Sequence, residues 1–332
     1  MTTPVGLLAA RYLKAVAVSR GDDVASTEYI ERRGWVAEAF TLKSAIAGST
    51  TGNSNAFLQR IGGDFMAYVR AQAIIGKLEG FRRMPFATRA IRQTSGPVAH
   101  WFAEGDEIPV GRPIFARDEP LARKQVAGLA VQTLELAREG DTEMIIMDDL
   151  ARACREALDA AFVDPDNGGS DIKPASVTYG QQEVTPSQPP RLALSQAVEA
   201  LADGGGDPSM AYWIMTPGMY AYLTLMKIAS EDGRIAGRPV LTSTVVPKDT
   251  SGETIALVDP TGIELAGGDE AELQISTHGD IIMDTDPAGG GAPGVTGLWQ
   301  SNSFAMRAIA SANWRAGSGR AVYISSLVTE VS

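Results

Sequence analysis

D-T-E-M-I-I-M-D-D-L-A-R-A-C-R-E-A-L-D-A-A-F-V-D-P, Asp141 to Pro165, reads as one long helix. Asp141-Thr-Glu offers a capping start, and Ile146, Leu150, Ala153, Ala157 and Ala161 recur at a spacing that places them on one apolar face. Asp164-Pro165 ends it, because proline carries no amide donor and its ring blocks the next helical turn. At about 1.5 Å per residue the helix spans roughly 30 Å, enough to serve as a spine.

The surroundings of the spine are punctuated differently on its two sides. Residues 5 to about 46 predict two helices, the second from Ser26 to Ile46, followed by the uncharged linker Ala47-Gly-Ser-Thr-Thr-Gly-Asn-Ser-Asn. Ala56 to Lys77 reads as a helix or extended arm, and Met84 to Val131 alternates apolar and polar residues between Gly and Pro, the pattern of long hairpin strands. Beyond the spine come a loop at Asp166-Asn-Gly-Gly-Ser and a Gln/Pro/Ser-rich connection from Tyr179 to Pro190. A helix over Ala193–Ala202, a buried-type strand at Tyr212-Trp-Ile-Met and a helix from Gly218 to Ser230 follow, the last started by Thr216-Pro217. Short strands at Gly237-Arg-Pro-Val-Leu, Ile255-Ala-Leu-Val-Asp and Ile263-Glu-Leu then lead to the Gly-rich Ala288–Gly294 loop. A final strand pair is expected around Leu298–Ala310 and Ala321–Val328. The class this predicts is mixed α/β (α+β), without internal repeats.

The chain has 332 residues, 44% hydrophobic and 21% charged, which fits a globular protein of about two domains. No run of about 18 apolar residues occurs and the first residues lack the features of a signal peptide, so cytoplasmic synthesis and no membrane partner are expected. Cys154 is the only cysteine and His100 and His278 the only histidines, which excludes an intrachain disulfide, a thiolate cluster and a His-rich metal site.

The net charge of −11 argues against a surface that grips nucleic acid throughout. It is also unevenly spread. From Ser54 to Thr94, Arg60, Arg70, Lys77, Arg82, Arg83, Arg89 and Arg92 face only Asp64 and Glu79, a local +5; residues 1–53 carry +1, so the remainder carries −17. A basic segment thus precedes an acidic body, and one copy's basic arm is expected on another copy's acidic surface.

No constellation supports catalysis. Gly289-x-Gly291-x-x-Gly294 has the letters of a dinucleotide loop, but Pro287 and Pro293 crowd it and no helix follows. Asp164-Pro-Asp-Asn-Gly-Gly-Ser-Asp starts like a calcium loop, yet has Gly168 at position five and Ala175 where a bidentate Glu is needed, so a helix-terminating turn is the reading. His100 beside Glu104, Asp106 and Glu107 sits in a Gly/Pro-rich loop tip, where solvated, mutually repelling carboxylates are expected instead of an acid–base pair. Ser95 lacks the Gly-x-Ser-x-Gly elbow, and Trp101, Trp299 and Trp314 are not interleaved with Lys or Arg as a single-strand binder requires.

The order of elements says more. Gln93-Thr-Ser-Gly, Ala99-His-Trp-Phe-Ala-Glu-Gly, Asp148-Asp-Leu-Ala-Arg-Ala, Leu158-Asp-Ala-Ala-Phe, Gly237-Arg-Pro-Val, Val258-Asp-Pro-Thr-Gly-Ile and Leu298-Trp-Gln-Ser-Asn-Ser-Phe-Ala-Met-Arg, in this order, resemble the major capsid protein of tailed bacteriophages, the Hong Kong 97-type family. The resemblance covers about residues 54 to 330. It implies an arm over 54–85, an extended hairpin (the E-loop) over 86–128, a peripheral domain over 126–187 and 298–332, and an axial domain over 188–297; the helical extension over 1–53 is shorter than the scaffolding segment that the type member cleaves, which leaves removal, a scaffold-like role and retention in the shell as alternatives. Copies would form the hexamers and pentamers of an icosahedral shell around double-stranded DNA held without sequence-specific contacts. Portal, scaffold or decoration proteins would be partners, with assembly in the host cytoplasm and residence in the virion. No cofactor, metal or catalytic residue is implied.

Inter-subunit contacts are expected from Arg82, Arg83, Arg89, Arg92, His100, Trp101, Glu104, Asp106, Glu107, Arg112 and Phe115. The type member cross-links its shell through an E-loop lysine. Matching Glu104, Pro109 and Phe115 to that hairpin puts Ile108 at the lysine position, and no lysine occurs between Glu79 and Arg123, which predicts a non-covalent shell. An encapsulin-type compartment and a gene-transfer particle share the subunit design; a hydrolase or nucleotide-binding enzyme would need the constellations missing above.

Overall fold

The long helix forms over Glu143–Val163 in the computed structural model, which describes residues 4–35, 53–95, 101, 114–139, 142–186, 189–249, 252–283 and 294–327. Its buried stripe is Ile146, Met147, Leu150, Ala151, Cys154, Leu158, Ala161 and Phe162, whereas Ala153 and Ala157 face solvent, contrary to the expected face. The difference arises because the stripe advances by fours along the helix, through Cys154 and Leu158. Its start also differs: Thr142 is the N-cap residue but makes no side-chain cap bond, and its hydroxyl donates instead to Leu136 O, 3.0 Å away. Asp164, extended, ends the helix as expected, and Asn167 then donates from its carboxamide to Ala161 O and Pro174 O, both at 2.9 Å, closing the turn that resembles a calcium loop.

Numbered in chain order, the helices are α1 (Leu7–Val18), α2 (Asp23–Arg32), α3 (Asn53–Gln72), α4 (Ile74–Lys77), α5 (Leu134–Arg138), α6 (the spine, Glu143–Val163), α7 (Pro190–Asp203) and α8 (Pro217–Leu225). The spine lies against a four-stranded sheet of order β1 (Arg82–Met84), β12 (Ile263–Ser276), β15 (Ser303–Ala316) and β4 (Gln125–Thr133). All neighbours there are antiparallel except β1 and β12. Gly128 on β4 allows the close approach, since a β-carbon there would stand 2.9 Å from Cys154 Sγ.

A second, eight-stranded sheet runs β5 (Gln182–Val184), β16 (Ala321–Leu327), β11 (Gly252–Val258), β6 (Tyr212–Met215), β9 (Arg238–Thr242), β8 (Arg234–Ile235) and β7 (Ala229–Ser230), with β10 (Lys248–Asp249) flanking β11. It has its own core around Trp213, Met219, Leu223 and Leu257. Thr216 caps α8 by accepting from Met219 N at 3.1 Å, as Thr216-Pro217 predicts, but the helix stops at Leu225.

Strand pairing divides the chain differently from the expected boundaries. The final strands are not paired with each other: β15 joins the four-stranded sheet and β16 the eight-stranded one. Residues 263–276, expected in the axial segment as a short strand, form a 14-residue strand in the four-stranded sheet. Of the three crossovers between these sheets, β4 to β5 through the spine, β11 to β12 and β15 to β16, the last two meet at one ion pair. Asp259, fully buried in the turn between β11 and β12, lies 2.8 Å from Arg320, which precedes β16. The same carboxylate accepts from Asp207 N (2.9 Å), Thr261 N (2.9 Å) and Thr261 Oγ1 (2.6 Å). Burial alone would raise its pKa; these donors outweigh it and hold the carboxyl below its usual range.

The N-terminal third is folded onto the body. The second helix starts at Asp23, earlier than Ser26, because Asp22 caps it by accepting from Ala25 N at 2.8 Å, and it ends at Arg32 before Gly34, which is left-handed (φ 69°). Residues 36–52, with the rest of the expected helix and most of the linker, lie outside the described residues. Residues 53–72 are helical, and Ile61, Phe65, Met66 and Val69 of α3 are buried within the subunit. Gly62 brings this helix onto β12, where a β-carbon would fall 1.8 Å from Ala271 O.

Candidate inter-subunit surface

The hairpin expected to reach a neighbour has at its base β2 (Ile91–Ser95) and β3 (Ile114–Arg117), antiparallel and paired only with each other among the described residues. A two-stranded ribbon with no third strand is marginal by itself. It also displays apolar side chains: Ile91 is 55% exposed, Ile114 and Phe115 59% each, and Trp101 entirely. Burying a side chain of this size stabilises an interface by roughly 1.5–3 kcal/mol. Ile91 and Ile114 add to the expected contact residues; in the sequence they are marked only as branched apolar residues on strands, with neither charge nor aromatic ring to single them out.

The basic candidates behave unequally. Arg82 lies 3.5 Å from Glu264 and donates to Ile91 O at 3.4 Å, fixing the foot of the hairpin to β12. Arg83 lies 3.0 Å from Asp269, which also pairs with Arg70 of α3. These two arginines, expected at contacts between copies, are therefore engaged inside the subunit. The reason is a bulge in β12 between Gly267 and Ala271, built on two left-handed glycines (φ 78° and 85°), which lifts Asp269 toward the arm. Arg89 is exposed, and Arg92 stands opposite Ala116 in the ladder. His100, Glu104, Asp106, Glu107 and Arg112, like Ile108, lie outside the described residues.

Beside the bulge an open groove of about 1120 Å³ runs between α3, β1 and β12. Leu58, Ile61, Phe86 and Leu273 line it, with Asp269, Glu270 and Glu272 also on its walls and Arg123 stacked 5.4 Å over Phe86. The exposed second hairpin, β13 (Asp280–Met283) with β14 (Gly294–Gly297), presents the cross-strand pair Ile282 and Val295; the Gly-rich loop between them falls outside the described residues. Among the described residues no group of three or more His, Cys, Asp or Glu is placed to hold a metal, and no helix is long and apolar enough to cross a membrane.

A long helix on a four-stranded sheet, a separate mixed sheet and a two-stranded ribbon outside both define the Hong Kong 97-type capsid fold. Solved chains share it: one from Gordonia phage Cozz (TM-score 0.54, 16% identity, covering 78% of this chain and 87% of that one) and one from Mycobacterium phage Adephagia (0.52, 13%, 76% and 90%). The capsid of a native GTA particle matches with TM-score 0.50 at 13% identity, over 78% and 89%.

In sequence, residues 86–285 match the phage capsid family. The capsid polyprotein of Pseudomonas phage PAJU2 is 30% identical over 317 residues, 88% of this chain but 46% of that relative, so the chain spans just under half of its length. The chain belongs to the phage capsid family, a family of structural proteins rather than enzymes.

Proposed function

We propose that this chain is a major capsid subunit that assembles with copies of itself into a closed icosahedral shell of hexamers and pentamers around double-stranded DNA. The observation that carries this, beyond the family, is the β2–β3 ribbon. A subunit that worked alone would gain nothing from a marginal hairpin with Ile91, Ile114 and Phe115 in water; a neighbour that covers them turns that exposure into association free energy.

The groove beside the β12 bulge offers the complementary surface. Its exposed apolar side chains suit those of the ribbon, and Glu270 and Glu272 on its walls would complement the exposed charges of Arg89 and Arg117 that flank the ribbon. Each contact is weak, and a closed shell multiplies it over every copy. The absence of lysine between Glu79 and Arg123 supports a shell held without covalent links. The net charge of −11 suits a lining along which packaged DNA slides, with like charge keeping it unattached. Portal, scaffold and decoration proteins would complete a virion assembled in the host cytoplasm. The GTA capsid's fold makes a gene-transfer particle the second reading.

Electron microscopy of the purified protein, alone and with Phe115→Ser, tests the reading. Closed shells from the wild-type chain and their loss in a folded variant are expected; normal shells from the variant would remove the hairpin from the interface.

A further inference from the structure

Seven of the twelve residues of α1 are buried, a packing that an appendage lying ahead of the arm would not need. They fit against α3, α5 and the spine. The helix starts at Gly6, left-handed (φ 86°), where a side chain would strike Met147 and Tyr68 at 2.6 and 3.0 Å. Glycine cannot cap with its own side chain, so Asp64 of α3 does so, accepting from Gly6 N at 2.9 Å and Ala9 N at 3.1 Å.

Two turns on, Lys14 is fully buried, and its ammonium donates to Glu139 O (2.8 Å) just beyond α5 and to Thr142 Oγ1 (3.2 Å) at the head of the spine. Carbonyls at a helix C-terminus carry partial negative charge, which makes that burial tolerable. The far end is tied as well: Arg20 O accepts from Thr277 Oγ1 and Arg20 Nη2 donates to Asn302, both at 3.4 Å. Arg11 stacks 5.1 Å over Trp35 and folds α2 back on α1.

We infer that residues 4–35 are a permanent clamp, not a removable scaffold. Through Asp64 and Lys14, α1 locks the arm helix to the start of the spine helix, and the segment stays in the assembled particle. The clamp is a property of the subunit and can be judged on it before any shell forms.

Amide hydrogen exchange on the purified subunit, compared with Lys14→Met and Asp64→Asn, reads the clamp directly. In the wild-type chain residues 8–17 should be as protected as residues 146–158. Lys14→Met should speed exchange about tenfold or more over 8–17 and 144–150 while leaving α7 unchanged, and Asp64→Asn should act on 8–17 in the same direction. In particles, peptides from residues 4–35 should be equimolar with those of the spine. Unprotected α1 amides, no change at 144–150 in Lys14→Met, or particles lacking residues 4–35 would each overturn the inference; should Lys14→Met not fold, Asp64→Asn carries the exchange test alone. A failure to obtain particles would count against the shell and leave the exchange result standing.

Discussion

Asp159 sits in the spine helix, 2% exposed, and ties three parts of the subunit with one carboxylate. It accepts from Ile74 N at 2.8 Å, where the arm ends in α4, and from Ser243 Oγ at 3.2 Å, beyond β9 of the larger sheet. Burial pushes its pKa up to about 6 from 3.8, against the opposing pull of those donors and of Arg155 and Lys77. A carboxyl that holds its proton more tightly folded than unfolded makes stability fall as pH rises between those two values. Asp159→Asn keeps an acceptor for Ile74 and gains a donor for Ser243, so its stability relative to wild type should increase by roughly 1–3 kcal/mol between pH 4 and pH 7. Urea midpoints across that range check this; a difference between variant and wild type that stays flat from pH 4 to pH 7 contradicts it.

Cys154 makes the same argument in another chemistry. Fully buried under Gly128, its thiol is pushed up to about 11 by desolvation, so it should resist alkylation at pH 8 until the chain unfolds. Mass spectrometry after iodoacetamide reads this, and stoichiometric labelling of native protein would contradict it. Gly62→Ala should cost roughly 1–3 kcal/mol or more, measured by the same urea midpoints, because the added carbon meets backbone on β12 and neither partner can yield cheaply.

At the scale of elements, local chemistry was readable and long-range pairing was not. The spine, α8 with its Thr216 cap, and β6 follow from spacing and capping residues that lie within a few positions of one another. The 14-residue β12 and the departure of β16 into the other sheet depend on which strand lies alongside, and nothing local encodes that. The basic candidates show the same limit: Arg83 and Asp269 are 186 positions apart, so a charge count does not reveal the half-exposed pair that the bulge in β12 makes within the chain. The double variant Ile114→Ser, Phe115→Ser should unfold within about 0.5 kcal/mol of wild type, since both are surface positions in the isolated subunit, yet fail to form particles by size-exclusion chromatography. A large loss of stability would place these side chains in the subunit's own core.

At the scale of the whole molecule, the two large sheets are joined three times, through the spine, at the Asp259 turn and at the return through Arg320, and one ion pair closes the last two joints. Arg320→Ala leaves a buried carboxylate with fewer donors, and a loss of about 1–3 kcal/mol in chemical denaturation is expected. Such a joint holds the two sheets in one relative orientation, as a subunit that tiles a closed surface requires. Imaging the purified protein by electron microscopy under assembly conditions reads that tiling. Uniform closed shells, dissociating into single-chain bands without a high-mass ladder on a denaturing gel, are expected; monomers that stay dispersed at every concentration tested would contradict a shell-forming subunit.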